Sequence, residues 1–215
     1  MNRKISVSLV SAPFDHLAQT LRQMELSGAD YLHYDIEDGY FVPVMNLGTK
    51  MLEQLGAMTS LPLDVHLMMV NPEWIIPDIA RTGAVNLSVH YEACAYPRRV
   101  LGVIKAHGMR AGLAFNPATP IPDLRFCLPL LDFVTVLTTE PETGDFNILL
   151  PVLDKVRQAK GLPELAALEW VVDGGVNQEN AHLVWEAGAD TIVSGRAAFS
   201  GGNYKENVER LRNPR

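Results

Sequence analysis

A chain of 215 residues, 47% hydrophobic and 20% charged, is long enough to bury a sizeable core as one domain spanning residues 1–215. Its net charge of −7 is spread along the chain, with no run of lysines and arginines and no aromatic platform, which argues against a nucleic-acid partner. No apolar run approaches the ~20 residues needed to span a bilayer, so a soluble protein without a membrane partner is expected.

In chain order, the basic start Met1-Asn2-Arg3-Lys4 leads into an apolar stretch that Ser6, Ser8 and Ser11 interrupt. That reads as a first strand rather than a secretory leader. Short β-branched runs then recur at residues 5–10, 31–36, 63–67, 86–90, 110–115, 133–137, 169–172 and 191–194, and the segments between them are mostly long enough for a helix. Helical signals include residues 14–26, with Leu17, Leu21 and Met24 on one face, Pro72-Glu73 opening the third helix, and Asn177-Gln178-Glu179 ahead of residues 181–187. Gly28, Gly83, Gly108 and Gly188 each stand between a helix and a strand, where a left-handed cap is expected. Three of them sit in one phrase, Ser-Gly-Ala-Asp, Thr-Gly-Ala-Val and Ala-Gly-Ala-Asp at 27–30, 82–85 and 187–190. Eight repeated βα units imply a (β/α)8 TIM barrel, with a doubly wound open sheet as the alternative. Cys94 and Cys127 lack metal or redox spacing and fit buried thiols in a reducing cytoplasm.

Alternation along a strand makes His33 and Asp35 point the same way. Glu37-Asp38-Gly39 is expected to leave that strand for a loop, which sets the pair at the strand's end, where barrel chemistry resides. His66 ends the third strand and His90 the fourth, Asn116 follows the fifth, Asp173 the seventh, and Ser194-Gly195 closes the eighth. His33, Asp35, His66 and Asp173 together form a plausible N2O2 set for one divalent ion such as zinc, iron or cobalt. Any one of them alone would more often be a satisfied core group, but four converging in an apolar interior are costly unless they share a cation. Asp64, two residues before His66, either orients an imidazole from behind or makes an ordinary buried hydrogen bond. His90 with Glu92 lies on the rim but a strand too far for direct coordination. His16, His107 and His182 read as surface residues. Gly174-Gly175 and Gly195-Arg196 follow strands whose loops often hold phosphate, although tight turns without a ligand would use the same glycines.

Several ordered blocks carry a resemblance. They are Ser6-Val7-Ser8-Leu9-Val10-Ser11-Ala12, His33-Tyr34-Asp35-Ile36-Glu37-Asp38-Gly39-Tyr40-Phe41-Val42-Pro43, Leu63-Asp64-Val65-His66-Leu67-Met68, Asn116-Pro117-Ala118-Thr119-Pro120 and Val172-Asp173-Gly174-Gly175. Along nearly its whole length the sequence resembles the ribulose-phosphate 3-epimerase family. That resemblance implies a (β/α)8 barrel that inverts the carbon beside the carbonyl of a pentulose phosphate. It implies His33, Asp35, His66 and Asp173 as ligands of one divalent ion (zinc, iron, manganese or cobalt), Asp35 and Asp173 as the two acid/base groups, and Ser8 as a substrate-binding hydroxyl. His66, Met68, Gly174, Gly175, Gly195 and Arg196 complete the expected substrate contacts, and a cytoplasmic homo-oligomer is expected because family members commonly associate.

The departures bear on the substrate. Glu37 stands where the family usually has Met, and Tyr40 where it has His or a similar residue. Glu140-Pro141-Glu142-Thr143-Gly144-Asp145 replaces a Gly-rich Asn-Pro-Gly-Phe-Gly-Gly segment, and Arg196 replaces a small residue. A related ketose phosphate, or a less highly charged ketose, is therefore kept beside the pentulose phosphates. A barrel aldolase or decarboxylase is disfavoured because Lys4, Lys50, Lys105, Lys155, Lys160 and Lys205 all fall away from the rim. A catalytically idle sugar-phosphate-binding barrel would be favoured by a missing ligand or acid/base residue, and none is missing.

Overall fold

The structure, a computed structural model, describes residues 3–141 and 143–214. Eight parallel strands follow the apolar runs: β1 (Lys4–Ser8), β2 (Tyr31–Asp38), β3 (Leu63–Met68), β4 (Asn86–His90), β5 (Arg110–Phe115), β6 (Phe133–Leu137), β7 (Glu169–Asp173) and β8 (Thr191–Ser194). β3, β4 and β6 are buried along their whole length, as strands covered on both faces must be. β1 pairs with both β2 and β8, so the sheet closes into a barrel. Around it run α1 (Leu17–Glu25), α2 (Thr49–Met58), α3 (Ile76–Arg81), α4 (Pro97–Ala106), α5 (Leu153–Lys160), α6 (Ala181–Glu186) and α7 (Tyr204–Arg212), with short helical turns between them. No helix among the described residues is long and apolar enough to cross a membrane.

The repeated phrase before the strands has a physical basis. Gly28, Gly83, Gly108 and Gly188 all take positive φ, between 82° and 98°, which ends each helix without the steric penalty a side chain would meet. The aspartates that follow two of them close a ring with the preceding strand. Asp30 gives its N–H to the Ile5 carbonyl and accepts the Ile5 N–H at 2.8 Å, and Asp190 does the same with Trp170 at 2.9 Å. Asp132, outside the phrase, repeats the arrangement with Ala111. A cation covers each carboxylate: Arg212 on Asp30, Lys160 on Asp190, Lys105 on Asp132.

Three expectations needed adjustment. The segment expected to be helical from residue 14 begins as a 3-10 turn at Phe14–His16, and the α-helix starts only at Leu17. The crossover from β5 to β6 holds turns and no regular helix, because Pro117, Pro120, Pro122 and Pro129 remove the amide donors a helix requires. Glu37 and Asp38 stay in β2 instead of entering a loop, since they pair with the antiparallel residues Asn46 and Met45 while Glu37 also pairs with Met68 of β3. Glu37 is therefore buried on the face that carries His33 and Asp35.

Side chains of alternate parity fill the barrel. Phe133, Val171 and Val193 form a cluster of their own, separate from the main core between strands and helices. Gly112 of β5 makes room for the Phe133 ring, which a Cβ at that position would strike. Cys94 and Cys127 are buried free thiols, and burial pushes Cys94 up to about 12, far from the range of a working nucleophile.

Candidate active site

The site is assembled where strands end. Ser8 closes β1, His33 and Asp35 share one face of β2, His66 sits in register with Asp35 on β3, and Asp173 closes β7. His33, Asp35, His66 and Asp173 each offer one donor atom, and these atoms lie within 4.8 Å of one another. His33 Nε2 is 3.1 Å from Asp35 Oδ1 and 3.6 Å from Asp173 Oδ2. His66 Nδ1 is 3.3 Å from the same Asp35 oxygen and 4.0 Å from the same Asp173 oxygen.

These spacings fit a cation. Four donors at zinc-like bond lengths in a tetrahedron stand about 3.3–3.6 Å apart, and the four histidine–carboxylate separations, 3.1 to 4.0 Å, span that range. Charge points the same way, since Asp35, Asp64 and Asp173 crowd around two imidazoles in a largely buried place. Asp64 takes up the orienting position: its Oδ2 receives His33 Nδ1–H at 2.9 Å and the Ser6 hydroxyl at 2.8 Å, which leaves His33 Nε2 facing the cluster. The Ser8 hydroxyl donates to Asp35 Oδ2 at 3.2 Å.

Electrostatics separates the two central carboxyls. For Asp35, burial favours the neutral acid, but His33 and His66 outweigh it and hold the group well below the carboxylate range. For Asp173, burial and the neighbouring Asp35 charge overcome the attraction of the imidazoles and raise it. His33 is resisted by burial yet held well above the usual imidazole value by Asp35 and Asp64.

Above this cluster opens a cavity of about 790 Å³, lined by Ser8, Asp35, Met68, Asp173, Gly174, Gly175, Gly195 and Arg196 among others. All of the anticipated substrate contacts therefore share one space except His66, which is fully buried and does not line it. Glu37, Glu140 and Asp145 line the same cavity; Glu142, the remaining acid of that altered loop, lies outside the described residues. Gly174 and Gly175 have positive φ, and a Cβ on Gly175 would come within 2.7 Å of the Phe146 carbonyl oxygen and 2.8 Å of the Ile148 nitrogen. Close packing of Thr139 against Gly174 and of residues 146–148 against Gly175 thus demands these glycines in its own right. Arg196, exposed at the rim, lays its guanidinium 3.3 Å from the Phe146 ring centroid. Tyr40 is 83% exposed and does not line the cavity.

Residues anticipated at the surface are there: His16, His107 and His182 are all exposed. Lys155 reaches the loop after β5, but its ammonium donates to the carbonyls of Asn116, Pro117 and Thr119 at 3.0, 2.8 and 2.6 Å, and it lines a separate cavity. His90 is buried against His66, with ring centroids 4.9 Å apart. Ser6, Phe41 and Phe146 were not anticipated. Only Ser6 had a sequence signal, its same-face spacing with Ser8.

Comparison with known proteins identifies the family. The model of the ribulose-phosphate 3 epimerase family matches residues 4–199. A ribulose-phosphate 3-epimerase of Bacillus subtilis is 38% identical over 97% of this chain and 98% of its own length, and one of Escherichia coli is 34% identical over 97% and 94%. A chloroplastic ribulose-5-phosphate-3-epimerase of Arabidopsis thaliana is 35% identical over 97% of this chain and 75% of its own. Among solved structures, a thiamine phosphate pyrophosphorylase from Pyrococcus furiosus superposes with a TM-score of 0.63 at 15% identity, covering 97% of this chain and 93% of that one, a likeness of fold alone. With the family model spanning most of the chain and relatives matching it nearly end to end, the chain belongs to the ribulose-phosphate 3-epimerase family.

Proposed function

We propose that the chain is a metal-dependent epimerase that inverts C3 of a ketose phosphate, of the ribulose-5-phosphate/xylulose-5-phosphate type or a related sugar, through an enediolate. The observation that carries this reading is the meeting of two carboxylates that line one cavity, Asp35 of β2 and Asp173 of β7, with the buried imidazoles of His33 and His66. β2 and β7 stand three strands apart in a closed ring of eight, so their carboxylates approach a bound sugar from different sides.

A proton beside a ketone is too weakly acidic for an unaided carboxylate. His33, Asp35, His66 and Asp173 would hold a divalent ion, whose Lewis acidity would stabilise negative charge developing on the sugar oxygens. Asp35 takes the C3 proton from one face, and Asp173 delivers a proton to the other. In the reverse direction their roles exchange, as two closely coupled carboxyls allow. The Ser8 hydroxyl, placed on Asp35, is set to hold a sugar oxygen beside the base. Met68, packed with Val42 and Leu137, forms the apolar wall. Backbone N–H groups at Gly174, Gly175 and Gly195, with the Arg196 cation, receive the phosphate.

One observation supports a second substrate class. Glu37, Glu140 and Asp145 line the cavity beside the single guanidinium of Arg196, a balance that suits a less highly charged ketose. Incubation of the zinc-, manganese- or cobalt-loaded protein with a panel of pentulose and hexulose phosphates and their unphosphorylated counterparts separates the readings. Epimer formation from a phosphorylated ketose supports the first, and formation only from a free ketose supports the second. No epimer from any ketose would turn the assignment toward a binding protein.

A further inference from the structure

The two histidines of the cluster are held in different ways. His33 is fixed by a hydrogen bond, from Nδ1 to Asp64 at 2.9 Å, and Asp64 is fixed in turn by Ser6. His66 has no such support: its Nδ1 faces Asp35 and Asp173, and its Nε2 has no protein partner among the described residues. What it has is a ring against its face. His90 lies 4.9 Å away, centroid to centroid, with 26° between the planes. His90 Nε2 also lacks a protein partner, so no hydrogen bond joins the two rings and the support is contact between faces.

His90 is itself pinned on two sides. Its Nδ1 meets Glu92 Oε2 at 3.2 Å, and the other oxygen of Glu92 receives the Asn116 N–H at 2.8 Å, which ties the pair to the loop after β5. Phe41 packs against His90 at 4.6 Å, and its own backbone N–H is held by Asp38 at 2.7 Å. His66 and His90 are thus stacked, and the tilted Phe41 ring, 49° from the His90 plane, continues the line of ring contacts from the metal-ligand cluster to the loop after β2.

Resting on the metal-dependent reading above, we propose that His90 is the positioning residue for His66, doing by ring contact what Asp64 does for His33 by a hydrogen bond. The orientation of a ligating imidazole is set by what surrounds it; loss of an outer hydrogen-bond partner lowers metal affinity by about 10–100-fold, and loss of the ring contact is expected to act on the same scale. Glu92 and Phe41 hold His90 and are one step further from the ligand.

The test is metal binding, read without substrate. Chelator-stripped protein is titrated with Zn²⁺ against a chromophoric competitor, and with Co²⁺ by its visible ligand-field spectrum. His90→Ala is expected to bind Zn²⁺ about 10–100-fold more weakly and to shift the Co²⁺ bands. His90→Phe, which keeps an aromatic face but no nitrogen, is expected to recover most of the affinity and the wild-type spectrum. Circular dichroism of the stripped proteins verifies folding; should His90→Ala not fold, His90→Leu against His90→Phe makes the same comparison. Wild-type affinity and spectrum in His90→Ala would overturn the proposal, as would equal loss in well-folded Ala and Phe variants, which would assign the effect to a ring nitrogen. Failure of the wild-type chain to bind either metal would overturn the metal-dependent reading as well, whereas tight wild-type binding with unaltered variants defeats this inference alone.

Discussion

β7 begins and ends with a largely buried carboxylate, Glu169 at the closed end of the barrel and Asp173 at the open end, four residues apart on one face. Glu169 is surrounded by partners. It accepts from Lys4 at 3.1 Å, from Arg110 at 2.7 Å and from Thr191 at 2.6 Å, and although burial works against ionisation these contacts hold its carboxyl below the usual range. Asp173 has imidazoles and another carboxylate nearby but, among the described residues, no lysine or arginine paired with it, and its carboxyl is raised. The same chemistry, placed at the two ends of one strand, is neutralised by the protein at one and left unbalanced at the other. Polar groups at the closed end of a barrel stabilise the fold, and those at the mouth bind and react.

Substitutions at each end should separate these roles. Asp173→Asn is expected to reduce ketose-phosphate epimerisation about 10³-fold by steady-state assay, the scale of a lost general acid or base, without lowering the melting temperature of the chelator-treated protein. Glu169→Gln should do the opposite, leaving kcat near wild type while costing about 2 kcal/mol in urea unfolding, because Lys4 and Arg110 lose their charged partner. At the cavity rim, Arg196→Ala should raise KM for a phosphorylated ketose about 10-fold with little change in kcat. Phe146→Ala, which removes only the ring beneath the guanidinium, should raise it about 3-fold. An equal KM effect on the unphosphorylated ketose would remove Arg196 from phosphate recognition.

Acid sharpens the same comparison. Glu169 has a folded-state value below its ordinary 4.5, so its stabilisation is complete above about that pH and is lost as pH falls through the lower folded value. Urea-unfolding free energies measured at decreasing pH below about 4.5 should therefore fall more steeply for wild type than for Glu169→Gln.

Much of this was legible in the sequence because barrel strands are buried on both faces and bounded by turns. The spans 86–90, 110–115, 133–137 and 191–194 were read to the residue. His33, Asp35, His66 and Asp173 could be placed together because period-2 alternation and position at strand ends are local properties. What escaped depends on partners distant in sequence. The extension of β2 to Asp38 requires pairing with Asn46 and Met45, which no alternation in β2 announces. The helix-free crossover has a local signal in its four prolines, which segment length alone does not convey. The Gly-Ala-Asp echo is plain in the sequence, but its reason, an aspartate closing a ring with the preceding strand, depends on strand neighbours. The stacks of His90 on His66 and Arg196 on Phe146 each join residues brought together only by the closed barrel.

The most direct measurement is proton NMR of the C3 position while the metal-loaded protein acts on a ketose phosphate in deuterium oxide, for wild type, Asp35→Asn and Asp173→Asn. The two-carboxylate account predicts that wild type incorporates solvent deuterium at C3 as the epimer appears, and that both variants lose epimer formation. Epimer that retains its original C3 proton throughout, or either variant epimerising at the wild-type rate, would contradict it.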